Sequence, residues 1–431
     1  MTSDVLRGTD LFLDVLDFDQ RRSGLAGNLV QLILYLESTP ERDRLEQRIA
    51  DWTATEPACR IAISRSLWKL PRWRFLSKPV PPPVNWHRAV DPASILDQRI
   101  NSPISISRLP AFAIDIIALE DGGAILALTW HHLLTDAHGG EFLLARLAAT
   151  SSAPTGYLPA ADNSSLLSRL KEARRFRPVV RQMAVGGVTS PGREKPKGPF
   201  RLASTFRVIE PEATAVLSKR SHRVHPIFGE TALLLAAALR RVNILCRGQD
   251  RKYGGYLVPV PVSRRLPGSR SPVLGNPVSF FFIYIKISRI EESDMDAVAR
   301  DIARSFVEQV RNDLPLAVDA SLSLGSHLPK PFYRWLLRRT MQGELASCFF
   351  ANTGPVSLGE SPGGHYDFLG VPVTACFHRP MICQPPGVGF FACRYSGCLH
   401  LTICWIDGAL ERGIMETAAN DLVNELVNDN K

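Results

Sequence analysis

The chain has 431 residues, of which 45% are hydrophobic and 22% charged, and its formal net charge is +9. This composition is typical of a globular protein of two or three domains and excludes collagen-like and wholly disordered chains. No stretch reaches the roughly 18 consecutive apolar residues of a membrane span, and five aspartates among the first twenty residues argue against a secretory signal. We therefore expect a cytoplasmic protein whose eight cysteines stay reduced.

The first part of the chain shows apolar patterns of both strands and helices. The strand patterns cover residues 27–37, 111–119 and 124–130. The helix patterns cover residues 40–52 and 141–149. The Glu-Asp-Gly-Gly sequence at 120–123, between the last two strands, is typical of a hairpin turn.

The segment 165–201 differs in composition from the rest of the chain. It holds ten lysines and arginines against two glutamates, and glycines and prolines interrupt it. We interpret it as a solvated linker between an N-terminal lobe, residues 1–164, and a C-terminal lobe, residues 202–431. The open alternative is a surface that binds phosphates, either of a nucleotide-bearing substrate or of lipid head groups.

Strand and helix patterns continue after the basic segment. Strands are predicted at 200–209, 256–262, 277–287 and 399–406, and helices at 230–242, 294–314 and 411–427. Strands that alternate with helices on both sides of a linker predict an α/β fold with two lobes.

Three of the ten histidines lie within residues 131–140, between a predicted strand and a predicted helix. Loops at strand ends are frequent carriers of catalytic residues. Because adjacent residues leaving a strand point to opposite faces, only one of His131 and His132 can face a given cavity. Asp136 can cap the following helix or hold the loop through a distant cation.

His131, His132 and Asp136 resemble the HHxxxDG signature of acyltransferases built like chloramphenicol acetyltransferase. That superfamily includes the condensation domains of peptide synthetases, the wax ester synthase/diacylglycerol acyltransferases and the plant BAHD enzymes. Residues 260–265 resemble its Pro-Val-x-x-Arg strand end. Residues 274–277 and 351–355 resemble the Gly-Asn and Asn-x-x-Gly-Pro segments of the wax ester synthase branch. The resemblance covers nearly the whole chain and implies two lobes, each a mixed β-sheet flanked by helices, with a tunnel between them.

The resemblance also implies an activity: transfer of an acyl group from a thioester donor, acyl-CoA or carrier-bound, to a hydroxyl or amine acceptor. His132 would be the general base, since a neutral imidazole can take a proton from the nucleophile. Asp136 would pair with Arg265 and orient the loop, with Arg264 as the fallback partner, and His131 would be structural. No covalent acyl-enzyme, no tightly bound cofactor and no metal is expected.

The partners implied are the thioester donor, a small-molecule or lipid acceptor and an acyl or peptidyl carrier protein. Further substrate contacts are expected at His138, Gly139, Asn276 and Asn352. The basic, aromatic stretch 330–339 is interpreted as a surface helix, with contact with a membrane surface as the alternative.

The chain departs from the family pattern at two places. Ala137 stands where the motif has glycine, so we expect Gly139 and Gly140 to supply the flexibility of the loop. Gly229-Glu230 replaces an Asn-Asp at the start of a helix. These departures keep open a non-catalytic relative that binds a carrier protein or a lipid.

Two other functions have less support from the sequence. A zinc hydrolase would use His131, His132, Asp136 and His138 as ligands, but the adjacent histidines diverge and no second cluster follows. Nucleic-acid binding is not expected, because the basic segment contains only two aromatic residues, Phe176 and Phe200, and so lacks interleaved stacking partners for bases.

Overall fold

The computed structural model describes residues 5–6, 8–66, 70–149, 165–192, 200–247, 254–266, 269, 271, 273–340, 346–356, 358 and 366–428. Within these residues the helices are α1 (Thr9–Arg22), α2 (Arg42–Thr55), α3 (Pro92–Ile100), α4 (Ala137–Ala148), α5 (Leu166–Ala173), α6 (Arg177–Gly186), α7 (Pro211–Val224), α8 (Gly229–Leu245), α9 (Ile287–Glu292), α10 (Met295–Arg311), α11 (Leu314–Leu324), α12 (Lys330–Thr340) and α13 (Arg412–Val427). The strands are β1 (Leu29–Leu36), β2 (Ile61–Ser64), β3 (Arg72–Phe75), β4 (Val84–Arg88), β5 (Phe112–Ala118), β6 (Ala124–His131), β7 (Arg201–Ile209), β8 (Gly255–Ser263), β9 (Val278–Lys286), β10 (Phe349–Pro355), β11 (Asp367–Phe368), β12 (Val371–Pro380), β13 (Val388–Tyr395) and β14 (Cys398–Asp407).

Two larger sheets organise these elements. One has the strand order β11-β12-β1-β6-β5-β4, the other β10-β13-β14-β7, and β2–β3 and β8–β9 form separate pairs. The pairs β4–β5 and β10–β13 are parallel, while the other pairs in the two sheets are antiparallel. Both sheets are therefore mixed and carry helices, and the predicted α/β fold with two lobes is confirmed.

Strand β12 crosses from the predicted C-terminal lobe into the larger sheet. It pairs antiparallel with β1, with His378 opposite Leu32, and β11 extends the same sheet. The predicted division at residue 202 therefore does not separate the two sheets. Strands β11 and β12 follow residue 202 in sequence but belong to the sheet of the N-terminal half.

The basic segment contains packed helices. Helix α5 packs against α11, and the ring of Phe176 lies 5.1 Å from that of Phe282 on β9. Val179 also packs beside this contact, whereas Leu166, Leu167 and Leu170 on α5 are exposed. This part of the predicted solvated linker is therefore helical and partly packed. Arg193, Lys195 and Lys197 lie outside the described residues.

The eight cysteines all lie within the described residues, and none of them forms a disulfide. Seven are buried and Cys398 is half-buried. In the described ranges no helix is long and apolar enough to cross a membrane.

An aromatic contact joins the two larger sheets. Phe377 on β12 is buried, and its ring lies 5.9 Å from Tyr35 on β1. On the other side it lies 4.8 Å from Phe206 on β7 and 5.0 Å from the ring of His400 on β14. This side chain therefore packs both sheets into one core.

We expect Phe377→Ala to lower the free energy of unfolding by about 3–5 kcal/mol, because it leaves a cavity between the sheets. Urea denaturation measures the loss. Ile414→Ala on α13, where the residue is 51% exposed, is the control and should change stability by no more than about 0.5 kcal/mol. Equal effects of the two substitutions would contradict a shared core at Phe377.

Candidate active site

A cavity of about 810 Å³ is bordered by elements of both larger sheets. Its wall includes Val30 of β1, Ala392 of β13 and the side chain of His132. Most of the remaining wall is apolar, with Phe12, Phe280, Phe282, Leu322, Phe350 and Met381 among its residues. The half-buried imidazole of His132 thus faces a largely apolar space.

The loop that carries His132 is held by local hydrogen bonds. Strand β6 ends at His131, and the backbone N–H of Leu134 donates to the carbonyl of His131 at 2.8 Å. The indole N–H of Trp130 donates to the carbonyl of Thr135 at 3.0 Å. Asp136 then caps α4 by accepting from the N–H of Gly139 at 2.8 Å. These hydrogen bonds fix the conformation of the turn between β6 and α4.

Asn276 fixes the tautomer of His132. Its side-chain Nδ2 donates to Asp10 Oδ1 at 2.9 Å and to the His132 carbonyl at 3.0 Å. Both amide protons are used, so Oδ1 is the atom that lies 3.0 Å from His132 Nδ1. An amide oxygen only accepts, and Nδ1 must therefore carry the proton. The lone pair is left on Nε2.

The protonation state of His132 follows from its surroundings. Burial lowers the pKa of this imidazole below 6.5, although the hydrogen bond with Asn276 and the charge of Asp136 act in the opposite direction. A histidine with a lowered pKa is neutral at pH 7. His132 therefore meets the chemical requirements of a general base.

The far end of this hydrogen-bond chain is a buried carboxylate. Asp10 on α1 also accepts from the backbone N–H of Asn276 at 3.0 Å. Burial raises the pKa of Asp10 to about 6, despite the two hydrogen bonds from Asn276. The polar side-chain atoms of Asn276 are thus bonded within the protein, and the expected substrate contact of this residue stays a prediction.

His131 points away from the cavity and is fully buried. Its Nε2 lies 3.1 Å from Asp17 Oδ1, and its Nδ1 accepts from the N–H of Leu133 at 3.2 Å. Asp17 also pairs with Arg21 and Arg65. Burial would raise the pKa of Asp17, but the hydrogen bond and charge of His131 together with the two arginines hold it well below its usual range.

Asp136 forms an ion pair in addition to its helix cap. Arg265 Nη2 lies 2.6 Å from Asp136 Oδ1, and both side chains are almost completely buried. The guanidinium also lies 5.4 Å from the centre of the Phe142 ring. Arg264 pairs instead with Asp319 on α11.

The glycines of the loop are required by close packing. A Cβ on Gly139 would lie 1.6 Å from Thr135 Oγ1, and one on Gly140 would lie 2.5 Å from the Trp130 ring. Ala137 is the first residue of α4, and none of Ala137, Gly139 and Gly140 has a positive φ. The expectation that the glycines supply flexibility was therefore wrong.

Gly139 lies buried against Thr135 and Val273 rather than on the cavity wall. The expectation that it contacts substrate is corrected accordingly. His138 does border the cavity, and so does Asn352. Asn352 donates to Thr231 at 3.2 Å and to Glu230 at 3.3 Å, and it accepts from the N–H of Gly354 at 3.1 Å.

Sequence reasoning missed the carboxylates beneath the site. Asp10, Asp14 and Asp17 are buried on one side of α1, and Glu141 is fully buried on α4. The signal for the three aspartates was their spacing by four and three residues, which places them on one side of a helix together with apolar residues. Charges that are buried in this way need partners. Within the described ranges, no group of three His, Cys, Asp or Glu side chains is arranged to hold a metal ion.

No protein-family model and no curated protein matches the chain. Solved structures do match it over nearly its full length. A trichothecene 15-O-acetyltransferase from Fusarium sporotrichioides superposes with a TM-score of 0.72 at 11% identity, covering 99% of this chain and 95% of that chain. The first condensation domain of the CDA synthetase gives 0.66 at 13% identity, covering 98% and 95%. The starter condensation domain of rhizomide synthetase gives 0.63 at 11% identity, covering 99% and 94%.

At identities this low, the matches establish the fold alone. The chain has the two-lobed fold that this acetyltransferase shares with the condensation domains.

Gly140→Ala is expected to destabilise the protein by about 1–3 kcal/mol, because the new methyl group overpacks the buried Trp130 ring. The urea midpoint of the variant reports this. Gly413→Ala on α13, where a Cβ meets nothing within 4 Å, should show no loss. A Gly140→Ala variant as stable as the parent would show that the helix can move away from the loop.

Proposed function

We propose that the protein is an acyltransferase that moves an acyl group from a thioester to a hydroxyl or amine acceptor, with His132 as its general base. One observation carries this proposal: Asn276 holds the Nδ1 proton of His132, which leaves the Nε2 lone pair on an imidazole that borders the cavity.

The reaction follows from that geometry. Nε2 takes the proton of the acceptor, whose oxygen or nitrogen attacks the thioester carbonyl and forms a tetrahedral oxyanion. When the oxyanion collapses, the carbon–sulfur bond breaks and the proton passes from Nε2 to the departing sulfur. The products are the acylated acceptor and a free thiol. No group of the protein is acylated, and His132 returns to its starting state.

The shape of the cavity supports an acyl thioester as donor. Its apolar wall suits an acyl chain, while Arg177 and Arg181 are exposed and also border it. These two cations can bind the phosphates of coenzyme A or of a carrier-bound phosphopantetheine. A mutant of the starter condensation domain of rhizomide synthetase was solved in complex with C8-CoA and Leu-SNAC, and C8-CoA is a thioester of this kind.

The acceptor and its delivery are part of the same proposal. Leu336 on α12 is 40% exposed and borders the cavity, and Phe332 and Trp335 on the same helix are about half exposed. Leu336 therefore connects this exposed apolar surface of α12 to the cavity wall, which suits an apolar or lipid acceptor. Contact with a membrane surface and a cytoplasmic location stay predictions.

His132→Ala should lower the rate of transfer by at least about 100-fold, because the base is removed from the reacting hydroxyl or amine. Release of free thiol from a panel of acyl thioesters, each offered with candidate acceptors, measures the rate. His222→Ala, at an exposed position on α7, is the matched control and should keep full activity.

Unchanged thiol release in the folded His132→Ala variant would overturn the proposed mechanism. A parent protein that binds the thioesters but releases no thiol with any acceptor would favour the non-catalytic alternative.

A further inference from the structure

A second cluster of titratable side chains lies beside the cavity. Glu141 on α4 is fully buried, with Oε2 3.2 Å from His138 Nδ1 and Oε1 3.2 Å from His378 Nε2 on β12. Cys393 on β13 interacts with the other side of His378. The proposed mechanism uses none of these groups.

His378 also borders the cavity, but its side chain is only 6% exposed. His138 is the most exposed member of the cluster. Its side chain is 25% exposed and borders the same cavity as His132. Because Nδ1 is bonded to Glu141, Nε2 is the nitrogen directed away from that carboxylate. The two imidazoles are separated by six positions in the chain, and the capped turn at Asp136 connects them.

The charges around His138 favour its protonated form. Burial lowers the pKa of His138, but the hydrogen bond and charge of Glu141, together with the charge of Asp136, raise it above 6.5, while the positive charge of His378 opposes them. Burial would raise the pKa of Glu141, yet its hydrogen bond with His138 and its interaction with His378 hold it at about 2. Glu141 is therefore an anion at any working pH.

His378 keeps a positive charge for a related reason. Burial lowers its pKa, but interactions with Cys393 and Glu141 raise it to about 10. Glu141 thus lies between two imidazoles whose protonated forms it favours, and both of them border the cavity.

His132 and His138 have opposite environments. His132 bonds to a neutral amide oxygen, which leaves a lone pair, whereas His138 bonds to a buried carboxylate, which stabilises a ring with both nitrogens protonated. An acid and a base of one active site are usually two titratable groups whose environments shift their pKa values in opposite directions.

We propose that His138 is a second catalytic residue, whose Nε2–H donates a hydrogen bond to the thioester carbonyl oxygen as that oxygen becomes an oxyanion. This inference rests on the proposed acyltransferase function. The bond strengthens in the transition state, where charge develops, and no proton leaves His138. Glu141 acts as its positioning residue.

The pH dependence of kcat/KM tests this role. The parent enzyme should give a bell-shaped profile, in which activity rises as His132 loses its proton below pH 6.5 and falls as His138 loses its proton above pH 6.5. His138→Leu should lower kcat by about 100-fold or more, the usual effect of removing one oxyanion donor. His138→Gln keeps a neutral donor, so its loss should be smaller and its alkaline limb should disappear.

Glu141→Gln provides a second readout that a structural role would not produce. Without the carboxylate, burial dominates and the pKa of His138 falls, so the alkaline limb should move to lower pH. His222→Gln serves as the control and should keep the parent profile. Urea midpoints show which variants are folded, and His138→Gln decides the outcome if Glu141→Gln does not fold.

These experiments distinguish a failure of the His138 role from a failure of the proposed acyltransferase function. An active parent, an inactive His132→Ala and a His138→Gln variant with the parent kcat and an unchanged alkaline limb would overturn the role of His138 alone. Full activity of His132→Ala would overturn the proposed function itself.

Discussion

The hydrogen bond between Asn276 and His132 determines what the site can do. The asparagine precedes β9 and the histidine follows β6, while the carboxylate that orients the amide belongs to α1. Three distant parts of the chain must therefore be in place before one ring nitrogen presents its lone pair to the cavity. The packing of these three parts therefore sets the tautomer of His132.

Buried charge surrounds that bond, and each charge has partners. Asp17 lies against His131, Arg21 and Arg65, and Asp136 lies against Arg265. Removing one member of such a pair leaves an uncompensated charge in the interior, which destabilises more than the pair itself stabilises. These pairs therefore hold the loop in one geometry.

Local patterns were enough to predict part of this arrangement. The β5–β6 hairpin, the turn after it and the pairing of Asp136 with Arg265 follow from short-range periodicity and from the family motif. The partnership of Asp10 with Asn276 joins residues 266 positions apart, and the insertion of β12 beside β1 places His378 near Glu141. Single-sequence periodicity contains no information on such pairings. Close packing likewise decided the roles of Gly139 and Gly140, which were predicted from backbone freedom.

Nitrogen-15 NMR of the His132 ring tests the central claim most directly, with a His132→Gln sample to assign the signals. Between pH 7 and 8 the account predicts a protonated Nδ1 and an unprotonated Nε2, and Asn276→Leu should remove this preference. A ring that carries its proton on Nε2, or that stays an imidazolium in this pH range, would contradict it.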